Sequence, residues 1–469
     1  MSDQPRTRQE LYDRIRKMGR EAFILEEMIR YGFWPEQGEL PQDPADEIRR
    51  RSELYRQLTE LRQKNRQLQD EQAIRRQLRK QRLAESRRKR EETKQRREEE
   101  RQARAQAWQE RQQQEIVYLG EEVSGGLGEQ QSNPSELDRH GLPQLATAAD
   151  IAQEMGITLG ELRFFAFDRK TATVSHYIRF KMPKKTGGER LISVPMPRLK
   201  RAQYWILSQI LEKIPVHEAA HGFCRDRSII TNASHHVGAE VVINLDLKDF
   251  FPSISYRRVK GLFRSLGYSE AVATILALIC TAPDVEEVSL DGQTYYIALN
   301  QRHLPQGSPA SPAISNLICR RLDKRLTQMA DELGFTYTRY ADDLTFSASG
   351  DVLRNICRIL RRTESLINYE SFTLHPEKTR ILRRKSCQLD VTGIVVNEGL
   401  NIDRKTLKKF RATLHQIETQ GLEGKHWGHS RNVLASIQGF ANFVAMVNPE
   451  KGAQFQEQVG RIRQKYGRN

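Results

Sequence analysis

Phe335-Thr336-Tyr337-Thr338-Arg339-Tyr340-Ala341-Asp342-Asp343-Leu344-Thr345-Phe346-Ser347 alternates in character on both sides of two adjacent acids. That alternation predicts two short strands joined by a tight turn, with the acids at its tip. Asp is common in turns, so the tetrapeptide does not fix its own chemistry. Two neighbouring carboxylates nevertheless repel each other, and hard cations relieve that repulsion.

A third acid lies upstream. Val241-Val242-Ile243-Asn244-Leu245-Asp246 reads as an apolar strand ending in a carboxylate, followed by Leu247-Lys248-Asp249-Phe250-Phe251-Pro252. The end of a buried strand is a costly place for an unpaired charge. With this strand beside the hairpin, Asp246 and Asp342 can bridge two Mg²⁺ ions about 3.5–4 Å apart, the arrangement suited to in-line phosphoryl transfer.

Composition sets the frame for these acids. The chain has 469 residues, enough for roughly three domains, with a net charge of +16 and a pI near 9.6. Clustered Lys and Arg gain free energy by displacing phosphate counterions, so nucleic acid is the expected partner. No apolar run approaches the length of a membrane span, and no signal peptide opens the chain, so a cytoplasmic location and no membrane partner are expected. Cys224, Cys280, Cys319, Cys357 and Cys387 form no C-x-x-C pair, which argues against structural zinc and for small buried residues in a reducing compartment.

The overall hydrophobic fraction of 38% conceals a division. Residues 1–40 hold an amphipathic stretch, including Leu11, Ile15, Met18, Met28 and Ile29, that reads as a short helical module. Residues 41–120 read as a long basic helix or coiled coil, opening with Leu54, Leu58, Leu61, Asn65 and Leu68 at 4, 3, 4, 3 spacing. That seam hints at self-association or docking on a partner. Residues 75–112 carry 15 Lys or Arg against seven Glu, with almost nothing apolar. Either this is a solvated helix held by Glu–Arg pairs or a basic arm lying along nucleic acid. Residues 121–146, rich in Gly, Ser, Gln and Pro, read as a linker, with the compact domain starting near Thr147.

The order of these segments resembles the right-hand palm of reverse transcriptases. The resemblance places Asp246 and Asp342 on that palm's metal ligands and Asp343 on the adjacent acid of its Y-x-D-D turn. It places Phe251 on the aromatic that excludes a ribose 2′-OH, although a plain core Phe would read the same way. Leu304-Pro305-Gln306-Gly307-Ser308-Pro309-Ala310-Ser311-Pro312 looks like the Q-G-x-x-x-S-P segment, with Gln306 and Gly307 at the nucleotide site. The basic stretch from Pro183 through Lys184, Lys185, Gly187 and Gly188 to Arg190 resembles the loop that clamps the triphosphate. A solvated hairpin is its plain alternative. Lys378, in His375-Pro376-Glu377-Lys378-Thr379, falls where the family's Lys serves the departing pyrophosphate.

Two further segments narrow the resemblance to retron reverse transcriptases. Asn232-Ala233-Ser234-His235-His236 looks like their N-A-x-x-H signature, and Val391-Thr392-Gly393 like their V-T-G signature. The resemblance implies that Asn232, His236, Val391, Thr392 and Gly393 serve RNA recognition, although such a His is also a common structural residue. It implies an α+β right-hand polymerase, with fingers and palm over residues 147–400, a thumb over 401–469 and a long N-terminal helical, coiled-coil extension. The implied substrates are a cognate noncoding RNA and deoxynucleoside triphosphates with two Mg²⁺ ions. DNA would start from a 2′-OH of an internal guanosine, giving a branched RNA–DNA product, in a system similar to anti-phage modules with a nearby effector protein. A group II intron type or protein-primed enzyme is the rival within the class; an RNA-binding scaffold with an inert palm is the rival outside it.

Overall fold

A β-branched, apolar run such as Val241-Val242-Ile243 packs best between layers, and it forms the central strand of the principal sheet. The computed structural model describes residues 7–18, 27, 28, 30–33, 57, 58, 61, 71–183, 187–428, 430 and 432–466. By contact the chain divides into two units, residues 1–127 with 158–160, and the remainder.

The first unit contains α1 (Arg8–Met18) and the 44-residue α2 (Glu71–Gln114). Exposed i,i+4 ion pairs along α2, such as Arg88–Glu92 and Lys89–Glu85, support a helix with little apolar surface. Of the leucine seam, Leu54, Asn65 and Leu68 lie outside the described residues.

The second unit begins at Gly128, which corrects the expected linker. Within residues 128–146, Pro134–Arg139 form α3, and Leu137, Leu142 and Leu145 are buried. The Asn133 amide donates to the Gly267 carbonyl at 2.7 Å. Pro and Gly here start and stop a helix, Pro134 in the first turn and Gly141 (φ 59°) beyond the last, so a linker-like composition hides a packed segment.

Then come α4 (Ala148–Met155), α5 (Leu159–Ala166), β1 (Thr171–Ala172), the antiparallel hairpin of β2 (Tyr177–Pro183) and β3 (Glu189–Pro195), and α6 (Pro197–Gln209). After α7 (Ile229–Ser234) and β4 (Val241–Asp246), helices α8 (Tyr256–Ser265) and α9 (Glu270–Cys280) precede β5 (Val285–Leu290) and β6 (Gln293–Ala298), which form a small sheet with β1. α10 (Ser311–Leu333) ends at Gly334 in the left-handed conformation and leads into β7 (Thr336–Tyr340) and β8 (Asp343–Ala348). α11 (Ile356–Tyr369) and β9 (Arg380–Arg383) complete the principal sheet, antiparallel throughout in the order β7-β8-β4-β9.

The hairpin β10 (Asp390–Val391) and β11 (Ile394–Val395) joins three final helices, α12 (Arg404–Gln420), α13 (Val433–Val447) and α14 (Pro449–Tyr466). Phe410, Leu414, Ile437, Val444, Phe455 and Val459 of these helices share one apolar cluster with Val391, Ile394 and Val242. The C-terminal helices therefore share their core with the principal sheet through Val242 and the β10–β11 hairpin.

Candidate active site

The predicted hairpin forms with Tyr340 opposite Asp343, leaving Ala341 and Asp342 as its two-residue turn. Ala341 adopts φ 56°, a left-handed conformation that a residue with a Cβ seldom takes. Asp343 opens β8 directly opposite Asp246, the last residue of β4. The Asp342 carbonyl accepts from the Leu247 amide at 3.0 Å, and the Asp246 carbonyl from the His375 amide at 2.8 Å. The three acids thus share one end of the sheet.

Lys378 reaches across to this end. Its Nζ donates to both Asp246 carboxylate oxygens, at 3.0 and 2.9 Å. Desolvation raises the Asp342 pKa, helped by the Asp246 charge and opposed by Arg190 and Lys378. The Asp343 pKa is pushed up to about 7, first by desolvation and then by Asp342 and Asp246. Its residue is exposed overall, so the crowding is local to the carboxyl and its acidic neighbours. Among the described residues no three acidic, His or Cys side chains converge tightly enough to hold a metal ion as they stand. The donor chemistry nonetheless fits a divalent cation, because hard oxygen ligands that repel one another are what such an ion neutralises.

The other expected nucleotide-site residues surround this end unevenly. Arg190 pairs with Met182 across the β2–β3 hairpin and is close enough to influence Asp342. Lys185, with Lys184, lies outside the described residues. Gln306 accepts at its carbonyl from the Ser193 amide at 2.7 Å, tying the Pro- and Gly-rich loop to β3. At Gly307 (φ 118°) a Cβ would come within 2.9 Å of the Ser193 carbonyl, so only glycine fits that junction. Phe251 is half-buried, its ring 5.4 Å from Phe250 and 6.4 Å from Phe223, which is itself 6.4 Å from Tyr340.

The expected RNA-recognition residues divide. Asn232, His236 and Val391 are buried, and neither polar atom of the Asn232 side chain has a hydrogen-bond partner. His236 bridges the paired strands β7 and β8, its ring nitrogens 2.7 Å from Ser347 Oγ and 2.7 Å from Thr338 Oγ1. Burial, with His235 and His221, lowers its pKa to about 3, so the ring is neutral. Thr392 (φ 48°) and Gly393 (φ 82°) form the β10–β11 turn, with Gly393 exposed.

A buried network behind the turn is not apparent from the local sequence. Arg339, fully buried, donates to Asp323 Oδ1 at 2.8 Å and Oδ2 at 2.7 Å, to Asn316 Oδ1 at 3.0 Å and to the Ala341 carbonyl at 3.0 Å. Asn316 Nδ2 donates to the Gly222 carbonyl at 2.8 Å. Gly222 backs the turn so closely that a Cβ there would lie 2.5 Å from the Ala341 nitrogen. An acid at Asp323 on the apolar stripe Cys319, Leu322, Leu326 and Ala330 is the one signal of it, since a charge on a core-facing stripe needs a buried partner.

A carboxylate-bearing turn against a central strand, with a proline-rich loop tied through Gly307 to a neighbouring hairpin, defines the palm of a right-hand nucleic-acid polymerase. Residues 182–397 match the family described as reverse transcriptase (RNA-dependent DNA polymerase). The chain is 43% identical to the Retron Mx162 reverse transcriptase of Myxococcus xanthus over 334 residues, 68% of each chain. It is 41% identical to the Retron Mx65 reverse transcriptase of the same organism, over 68% of this chain and 72% of that one. With the Retron Ec86 reverse transcriptase of Escherichia coli it shares 31% identity over 72% of this chain and 96% of that one. The chain belongs to the retron reverse transcriptases, and is an RNA-directed DNA polymerase. No helix among the described residues is long and apolar enough to cross a membrane.

Proposed function

We propose that this enzyme reverse transcribes a cognate structured noncoding RNA in the cytoplasm, starting DNA from a 2′-OH of an internal guanosine of that RNA. The product is a branched, multicopy single-stranded DNA, made as part of an anti-phage system with an effector protein. The observation that carries the catalytic part is the placing of Asp246 opposite Asp343, with Asp342 on the adjoining turn.

Asp246, Asp342 and Asp343 would hold two Mg²⁺ ions. Those ions, when bound, lower the pKa of the priming hydroxyl and neutralise charge on the departing pyrophosphate. Arg190 and Lys185 hold the triphosphate of the incoming deoxynucleotide. Phe251 fills the space that a ribose 2′-OH would need, and the Gln306–Gly307 backbone forms the floor against β3. Lys378 Nζ neutralises Asp246 before substrate binds and carries a proton that can pass to the leaving pyrophosphate. Thr392 and Gly393 offer the turn of the V-T-G segment to RNA, while His236 ties β7 to β8.

The test is expression of the chain with its flanking RNA element, followed by extraction of small nucleic acids. Wild type should yield a DNA species whose mobility shifts after RNase and after debranching treatment. Asp342→Asn should yield none while folding and binding RNA normally. A DNA species insensitive to both treatments would reject branched priming, and DNA from the Asp342→Asn variant would reject the catalytic assignment.

A further inference from the structure

The charges on α2 are sorted by face. Arg76, Lys80, Leu83, Arg87, Arg90, Lys94, Arg97, Arg101 and Arg104 follow one another at spacings of 4, 3, 4, 3, 4, 3, 4, 3. On a helix that spacing makes a single seam, and here Leu83, 54% exposed, is its one uncharged member. Glu85, Glu92 and Glu99 recur every seven residues on the opposite side. The ion pairs Arg88–Glu92, Lys89–Glu85 and Arg96–Glu100 are made between residues off the seam, while Arg97 and Arg104 on the seam have partners of their own. Every seam residue is exposed or half-buried.

From this sorting we infer that the seam of α2 is a docking surface for the sugar-phosphate edge of an RNA duplex. A second copy of the same helix does not fit, because the seam would set cation against cation where a coiled coil needs apolar knobs. At 1.5 Å per residue the seam runs for roughly 40 Å, a straight array suited to a partner that is itself straight and regularly charged. A duplex presents such an edge; a coiled single strand would have to be stretched along it. RNA is chosen because the enzyme's template is RNA. None of the seam residues is among those assigned to the polymerase site, and the binding is read without DNA synthesis, so its failure would leave the catalytic reading untouched.

Two full-length variants with the same change in charge separate a directed seam from undirected basicity. One carries Arg90→Gln, Lys94→Gln, Arg97→Gln and Arg101→Gln. The other carries Arg82→Gln, Arg88→Gln, Lys89→Gln and Arg96→Gln. Binding of a 25-base-pair RNA duplex of arbitrary sequence is titrated across a salt series, with an RNA–DNA hybrid, a DNA duplex and a single-stranded RNA as parallel probes. Circular dichroism checks that helix content is kept, and extension of a primed template at saturating concentration checks the polymerase. The seam variant should bind the RNA duplex at least tenfold more weakly near 150 mM salt, with its log–log salt slope flattened by about 3.6, given roughly 0.9 for each of the four phosphates no longer neutralised. The off-seam variant should change the slope by less than about 1. A matching weakening on the hybrid or the DNA duplex supports the shared phosphate edge. Equal weakening in the two variants, none in the seam variant, or weakening confined to single-stranded RNA would each overturn the inference.

Discussion

Replacing Arg339 by Met removes the guanidinium that joins Asp323, Asn316 and the Ala341 carbonyl behind the acid-bearing turn. Both partners of the Arg339–Asp323 pair have no solvent exposure, so the Asp323 carboxylate loses its counter-ion out of reach of water and keeps the Tyr337 hydroxyl, at 2.9 Å, as its remaining donor. Breaking a buried pair from one side costs about 3–5 kcal/mol, enough to lower the urea midpoint visibly. Adding Asp323→Leu removes the stranded charge, so the double variant should be more stable than Arg339→Met by about 2 kcal/mol or more. Its activity should not follow. The Ala341 carbonyl and the Asn316 amide lose the guanidinium in both variants, and a turn displaced by about 1 Å can cost on the order of 100-fold in rate. Urea unfolding and single-turnover primer extension, measured on both variants, supply the comparison. A double variant that regains wild-type rate together with stability would show that Arg339 serves packing alone and does not position the turn.

Two further changes probe the same framework. Gly222→Ala should lower stability by about 1–3 kcal/mol and slow primer extension, because its Cβ would press on main chain of the turn 2.5 Å away; unaltered extension would mean the turn is free to shift. His236 makes a pH-dependent contribution whose sign follows from its depressed pKa of about 3 against an ordinary value of 6.5. The unfolded chain binds the extra proton first, so stability is full above pH 6.5 and falls as the pH drops toward 3. Between pH 7.5 and 5 the wild type should lose about 2 kcal/mol more than His236→Gln in chemical denaturation. His221, with a pKa lowered to about 4, is present in both proteins and drops out of that difference; equal losses would contradict a neutral buried ring.

The hairpin, the central strand and the proline-rich loop around Gly307 are legible in the sequence because each is local. Period-2 alternation, a β-branched run and a Pro-Gly cluster need no distant partner to be recognised. What stays hidden depends on pairing across the chain. Gly222 meets Ala341 from more than a hundred residues away, and nothing around Gly222 marks it as the back of a turn. Arg339 reads as one member of an alternating strand, although Asp323 on the apolar stripe of α10 announces that some buried cation is required. The segment at 128–146 misleads for the opposite reason. Its composition outweighs its pattern, and Leu137, Leu142 and Leu145 carry the packing in spite of the Gly and Pro around them. For Asn232 and His236 the motif is recognisable but its physical role is not, since a sequence signature does not say whether a side chain faces a ligand or the core.

These hidden residues explain how the turn keeps a conformation that its own sequence disfavours. Ala341 at φ 56° is strained, and adjacent carboxylates at the tip add repulsion that would open the hairpin. Four restraints oppose this: the Arg339 bond to the Ala341 carbonyl, the Gly222 backbone behind it, the Leu247 amide on the Asp342 carbonyl, and His236 between Thr338 and Ser347. None of them touches the Asp342 or Asp343 carboxylates, which leaves those oxygens for ligands. The Asp246 carboxylate is the exception, and Lys378 can leave it without unravelling any strand because its ammonium is partly exposed. The framework therefore fixes the backbone of the turn, and Lys378 is the side chain that has to give up the Asp246 carboxylate before a cation can use it.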